Sequence, residues 1–241
     1  MSRLILLLGT VCVCAGSLAT ETASAAGCAP NRIYPMTSSK QAYYAVVTDR
    51  VTAYVRPGGK AVARFGRLNV NRASTVFGVL GAVVRPNCRP AWFRVQLPLR
   101  PNGATGWVRA DAVAVGVVRT RVLVDLSERR VSVYSGAREV LRTRASIGAP
   151  RTPTPTGRFY VNQRLQTLDA SGPFGPGGIG ISAFSPVLRN WPQGGPVAIH
   201  GTNQPWLIGR AVSNGCIRVE NSVLARMWDL APEGTPVVIR R

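Results

Sequence analysis

The sequence predicts a mainly β protein of two modest domains with one short helix. Three observations carry this expectation. Short runs of β-branched and aromatic residues recur along the chain, punctuated by 18 prolines and 25 glycines. Apolar residues at helical spacing stand out in one place, near the C-terminus. About 215 residues remain after an N-terminal leader, more than one small domain needs.

The leader comes first. Met1-Ser2-Arg3 is a short positive start, Leu4 to Ala19 is apolar and uncharged, and Ala23-Ser24-Ala25 fits a small-x-small cleavage site. Residues 1–25 are therefore expected to be a cleaved export signal, with the mature protein periplasmic or associated with the cell wall. The apolar stretch falls short of the roughly 20 residues of a membrane span. Ala26-Gly27-Cys28 resembles the end of a lipoprotein signal, but Ala25 stands where a larger aliphatic belongs. Cleavage removes Cys12 and Cys14 and leaves Cys28, Cys88 and Cys216. In an oxidising compartment the economical pairing is Cys28 with Cys88, which frees Cys216; three unpaired thiols is the alternative.

The first domain is expected over residues 28–117. Ala45-Val46-Val47, Val51 to Val55, Ala61 to Phe65, Thr75 to Leu80, Trp92 to Leu97 and Gly106 to Arg109 read as short strands, with a turn at Arg56-Pro57-Gly58-Gly59. Trp92 and Trp107 are best taken as core aromatics.

The second domain is expected over residues 119–241. Arg121 to Leu126 and Val131 to Tyr134 flank the turn Ser127-Glu128-Arg129-Arg130 as a hairpin, and Arg142 to Ile147 and Arg158 to Gln163 extend the sheet. Asn221 is placed to cap a helix through Leu230, with Val223, Leu224, Met227 and Trp228 on one face. Val237-Val238-Ile239 closes the chain as a strand. Phe174 to Gly180, rich in glycine, lacks the lysine and hydroxyl of a phosphate-binding loop and reads as a mobile loop beside the site.

The formal net charge is +20, and 28 of the 30 basic residues are arginine, Lys40 and Lys60 being the lysines. The arginines are scattered, with no basic block or aromatic-interleaved motif, which argues against nucleic acid. An exported cation of this kind suits anionic cell-wall polymers. One histidine and three dispersed cysteines offer no zinc-ligand spacing, so neither metal nor cofactor is expected.

Chemistry concentrates at His200, the sole histidine, and Cys216 within Ser213-Asn214-Gly215-Cys216-Ile217-Arg218. A thiol with a pKa near 8.5 is only a few per cent thiolate at neutral pH, and a neighbouring imidazole increases its reactivity. Val197-Ala198-Ile199 is strand-like and delivers His200 to a strand end. Asn214-Gly215 bends the chain sharply before Cys216, and the backbone N–H groups of Gly215 and Cys216 are candidate oxyanion donors. The orienter of the imidazole stays open between a residue distant in sequence and a backbone carbonyl such as that of Gly201. Trp191 and Trp206 are read as core residues rather than groove walls.

Three motifs then carry a resemblance. Thr152-Pro153-Thr154-Pro155-Thr156-Gly157, Ile199-His200-Gly201-Thr202-Asn203 and Ser213 to Val219 occur in the order seen in the L,D-transpeptidase catalytic domain family (the YkuD type). The first domain resembles a bacterial SH3-like small β-barrel, through Val55-Arg56-Pro57-Gly58 and Gly106-Trp107-Val108. The first resemblance implies a cysteine acyltransferase acting on peptidoglycan stem peptides. Cys216 is then the nucleophile, His200 the base and the Gly201 carbonyl its orienter, with Gly215, Asn214, Ser213 and Arg218 around the oxyanion and substrate. It implies 3→3 cross-links, release of D-alanine from a tetrapeptide stem, and acylation by carbapenems. Asn214 departs from the family, which often has a second histidine there. The alternatives are an L,D-carboxypeptidase using the same site and a non-catalytic wall-binding protein.

Overall fold

The computed structural model describes residues 28–29, 32–191 and 195–241. The leader expected over residues 1–25 lies outside them. The chain is mainly β, with a single α-helix among the described residues.

Eight strands form the first sheet: β1 (Ile33–Pro35), β2 (Ala42–Val47), β3 (Arg50–Tyr54), β4 (Ala61–Gly66), β5 (Val76–Val84), β6 (Pro90–Gln96), β7 (Thr105–Arg109) and β8 (Val113–Val118). Their order is β4-β3-β7-β6-β5-β2-β8, with β1 added to β5, and each described pairing is antiparallel. Alternating residues from six of these strands meet in one core, where Ala45, Ala53, Phe77, Val95 and Val108 are fully buried. Cys28 and Cys88 form a disulfide across 60 residues, tying the N-terminal end to the β5–β6 turn. Trp107 is buried, whereas Trp92 is half-buried and edge-on to Tyr54, with ring centroids 5.6 Å apart.

The second sheet follows directly: β9 (Thr120–Asp125), β10 (Arg130–Ser135), β11 (Arg138–Arg144), β13 (Gly157–Gln166), β14 (Gly177–Phe184), β15 (Pro196–His200), β17 (Ile217–Arg218) and β18 (Pro236–Arg240). The order is β11-β10-β9-β18-β13-β14-β15-β17. β18 runs parallel to β9, and β17 parallel to β15. Two short strands, β12 (Ile147–Gly148) and β16 (Ala211–Ser213), pair beside the sheet. The helix α1 (Asn221–Leu230) packs Leu224 and Met227 into the core with Phe159, Ile181, Ile199 and Ile217.

Two local expectations change. Asn221 is the first helical residue rather than the cap, and its Oδ1 accepts the Thr202 N–H at 2.8 Å instead. The glycine-rich segment is not all loop, since Gly177 to Gly180 belong to β14. Glycine is needed there for close approach rather than flexibility. A Cβ on Gly177 would lie 2.5 Å from the Leu165 carbonyl, and one on Gly180 2.7 Å from Gln163 Cγ.

The two sheets meet through specific contacts. The buried Tyr160 hydroxyl donates to the Val76 carbonyl at 3.0 Å, and Gln96 Nε2 donates to the Arg158 carbonyl at 2.8 Å. Asn102 and the Phe184 backbone exchange two hydrogen bonds of 2.8 Å. Asn69 Nδ2 and Asn71 Nδ2 both donate to Gln163 Oε1, at 2.9 and 3.1 Å.

Candidate active site

His200 ends β15, and Cys216 immediately precedes β17, the strand paired to it. The register sets Ile199 against Ile217 and His200 against Arg218. Cys216 therefore lies alongside Ala198, whose backbone N–H hydrogen-bonds to the thiol. Apolar Val197, Ile199, Ile217 and Val219 anchor the strands in the core, so the polar ends project together from its edge. Cys216 is free and half-buried, and His200 is 3% exposed. Both line one cavity of about 560 Å³, with Ser213, Asn214 and Arg218.

The imidazole is fixed in one tautomer. His200 Nδ1 lies 2.6 Å from the Gly201 carbonyl oxygen. A carbonyl only accepts, so Nδ1 carries the proton and Nε2 keeps its lone pair for use as a base. Of the two alternatives for the orienter, the backbone carbonyl is the one present. Gly201 is held in turn by crowding: a Cβ there would collide with Asn221 Oδ1 and lie 3.0 Å from Pro176 Cδ. Phe174, half exposed, packs its ring against the imidazole with centroids 4.9 Å apart.

The cysteine turn is equally determined. Gly215 has φ +112°, a region that favours glycine. Ser213 Oγ donates to the Cys216 carbonyl at 2.6 Å and accepts the Gly215 N–H at 3.1 Å, which makes Ser213 a brace of the turn. This engages the Gly215 N–H, so the expectation of two backbone oxyanion donors changes. The Cys216 N–H has no described acceptor and is the one left for an oxyanion. The Thr-Pro segment buttresses the turn from behind. Thr152 Oγ1 and the Ala149 N–H donate to the Ser213 carbonyl at 2.8 and 2.9 Å, and Thr154 Oγ1 accepts the Gly148 N–H at 2.8 Å.

Burial dominates the electrostatics. It pushes His200 down from its ordinary value of 6.5 to about 4, against the raising effect of the Gly201 carbonyl, and the Arg218 charge lowers it further. Burial pushes the Cys216 thiol up, opposed by the Ala198 N–H and by Arg218. The resting pair is accordingly neutral thiol and neutral imidazole at pH 7, not the thiolate-enriched state that one imidazole near a cysteine suggests. Arg218 favours the thiolate while disfavouring the imidazolium. Its Nε is buried with no described hydrogen-bond partner.

Asn214 is exposed and lines the cavity, where it supplies a carboxamide but no titrating group. Both tryptophan expectations change. Trp191, 47% exposed, lines the cavity, while Trp206 is 70% exposed and lies apart from it; neither packs in a core. Sequence reading missed three contributors: the Ala198 N–H, the Phe174 ring on His200, and Asn221, which buttresses Gly201 and Thr202. Nothing in a single sequence marks a backbone N–H or a helix residue reaching back to a loop. Among the described residues, no group of His, Cys, Asp and Glu is placed to hold a metal ion.

Residues 119–239 match the family model described as the L,D-transpeptidase catalytic domain, YkuD. The Bacillus subtilis (strain 168) protein YkuD is 33% identical over 129 residues, covering 54% of this chain and 65% of its own length. YqjB of the same organism is 32% identical over 154 residues, covering 61% of this chain and 81% of its own length. Both carry the name L,D-transpeptidase. A solved L,D-transpeptidase from Mycobacterium smegmatis aligns with TM-score 0.42 and 18% identity, covering 70% of this chain and 92% of that one. The chain spans about two thirds of the length of YkuD from Bacillus subtilis, and 64% of that from Bacillus licheniformis. With the match over half the chain and the braced cysteine turn beside a singly oriented histidine, this protein belongs to the L,D-transpeptidase catalytic domain family.

Proposed function

We propose that the protein is a peptidoglycan L,D-transpeptidase that forms 3→3 cross-links through a cysteine acyl-enzyme. The observation that supports this best is the His200 tautomer. With Nδ1 bound to the Gly201 carbonyl, Nε2 keeps its lone pair, and His200 and Cys216 line the same cavity. The Cys216 sulfur attacks the carbonyl between the third and fourth residues of a tetrapeptide stem. As the C–S bond forms, the thiol proton passes to His200 Nε2, a transfer suited to a pair that starts neutral. The Cys216 N–H meets the oxyanion, and Arg218 supplies positive charge beside it. Collapse breaks the C–N bond, His200 returns the proton to the departing amine, and D-alanine leaves. An amine from a second stem then takes the acyl group.

The protein would work outside the cytoplasm, where its positive charge holds it near anionic wall polymers and the Cys28–Cys88 disulfide persists. The test is intact-mass analysis with a carbapenem, followed by product analysis on tetrapeptide muropeptides. A single adduct on Cys216 and cross-linked dimers are expected. No adduct on reduced Cys216 contradicts the reading, and tripeptide monomers alone make the protein an L,D-carboxypeptidase. Wall binding unchanged in C216A, with no turnover in the parent, would make it a non-catalytic binder.

A further inference from the structure

The chain between β14 and β15 walls one side of the active-site cavity, with Ser185, Leu188, Trp191 and Gly195 lining it. The base of this wall is closed. The Ser185 N–H donates to the Gly195 carbonyl at 2.8 Å, and Ser185 Oγ accepts the Leu188 N–H at 3.1 Å. Ser185 also meets the cysteine turn, its Oγ lying 4.0 Å from where a Cβ on Gly215 would stand. Beyond the base the wall has little packing of its own. Val187 and Trp191 are 51% and 47% exposed, and neither packs into the core of either sheet. Ordering such backbone costs conformational entropy, which contacts from outside the wall must offset.

Those contacts come from the first domain. Pro98-Leu99-Arg100-Pro101-Asn102-Gly103 lies between β6 and β7, with φ fixed at two prolines and Gly103 at φ +84°. Leu97, fully buried, roots this arm in the core, and its N–H donates to the Ala104 carbonyl at 2.8 Å. The Ala104 N–H donates to the Pro101 carbonyl at 3.0 Å, closing a tight turn through Asn102 and Gly103.

The arm presents two side chains to the base of the wall. The Asn102 carboxamide has both donors and an acceptor, and these match the Phe184 carbonyl and N–H, each at 2.8 Å. Arg100 Nη2 donates to the Ser185 carbonyl at 2.8 Å, with the guanidinium carbon 5.3 Å from the Phe184 ring centroid. The contacts fall on the last residue of β14 and the first of the wall. A small backbone rotation there would be carried into Leu188 and Trp191.

We propose that Arg100 and Asn102 are positioning residues of the reaction, holding this wall in the shape that receives the donor stem peptide. The first domain is thereby a working part of the active site. The inference rests on the transpeptidase reading above. The reacting pair is held separately, His200 by the Gly201 carbonyl and the Cys216 turn by Ser213, all within the second domain. Slackening the wall therefore weakens capture of the donor and leaves the acyl-transfer step itself in place.

The test uses the full mature chain and reads D-alanine released from a tetrapeptide stem, so that transfer and hydrolysis count alike. In R100A and N102A the donor KM is expected to rise about tenfold, the weight of one or two hydrogen bonds. Their kcat should stay within about twofold of the parent, as for a loss of binding alone. Both residues are exposed, so neither truncation opens a core. R100K keeps a donor and the charge, and should bring KM back toward the parent value. Y160F is the control: it breaks a different hydrogen bond between the same two domains, one that does not touch the wall, and its KM should not move. Parent-like KM in both R100A and N102A overturns the proposal. So does an equal rise in Y160F, which would make the effect one of domain docking in general, and so does a fall in kcat at unchanged KM. A carbapenem adduct on Cys216 of the parent leaves the acyl-enzyme standing in all three cases. A parent with neither adduct nor D-alanine release removes the transpeptidase reading, and the inference with it.

Discussion

Because His200 is the sole histidine, its titration can be followed in the untagged protein without any mutation. The perturbation is pH. Burial holds the folded imidazole at about 4, while the unfolded chain binds the proton near 6.5. Below 6.5 the unfolded state takes up a proton that the folded state refuses, so this group's stabilisation is present above pH 6.5 and is lost as pH falls toward 4. The interval corresponds to about 3 kcal/mol, at about 1.4 kcal/mol per unit of pH. The assay pairs imidazole NMR across pH 3 to 8 with urea unfolding of the parent and H200Q at pH 7 and pH 4.5. The imidazole signal should move with a midpoint near 4. The parent should lose more stability than H200Q between the two pH values, the carboxylates contributing alike to both. A midpoint at 6.5 or above, or equal losses in the two proteins, would refute the neutral resting pair. The same titration sets the acid limb of the pH–rate profile near 4 rather than near 6.5, with one histidine step.

R218Q should raise the His200 midpoint and further raise the thiol pKa, because the Arg218 charge lowers both; NMR and the pH dependence of alkylation read the two shifts. G201A brings a Cβ onto Asn221 Oδ1 and should abolish carbapenem acylation while lowering stability by about 1–3 kcal/mol, measured by thermal unfolding. Y160F leaves the buried Val76 carbonyl without its donor across the domain boundary and should cost about 1–3 kcal/mol in chemical denaturation, with the site chemistry intact. C28S/C88S opens a disulfide spanning 60 residues and should cost about 4 kcal/mol by the chain-entropy argument, read from denaturation of the first domain's tryptophans.

Much of the fold is legible in the amino-acid order because local chemistry carries it. The hairpin of β9 and β10 follows from alternation on either side of a polar turn, and α1 from a four-residue apolar face. Residues of the wrong local character hid other elements. β14 runs through Gly177, Gly178 and Gly180, which argue against a strand until Gly177 is seen against the Leu165 carbonyl, Gly180 against the Gln163 side chain and Gly178 against Ala198 and His200. Trp191 and Trp206 look like core by side chain alone, but no sheet covers them.

The sequence by itself limited any histidine base to His200, the sole histidine, and singled out Cys216 by the motif around it, while the structure showed which two of the cysteines pair. The sequence also named the turn around Cys216, because glycine and Asn-Gly chemistry act within a few residues. Tertiary structure alone decided the protonation state. Burial of both groups and the nearby Arg218 charge depend on strands distant in sequence, and together they outweigh the mutual assistance that the residue types suggest. It also decided which backbone N–H stays free for an oxyanion, and it brought Asn71 from the first sheet to the lining of the site cavity. Those outcomes arise from solvent exclusion and packing across the fold, which residue order encodes only through the whole chain.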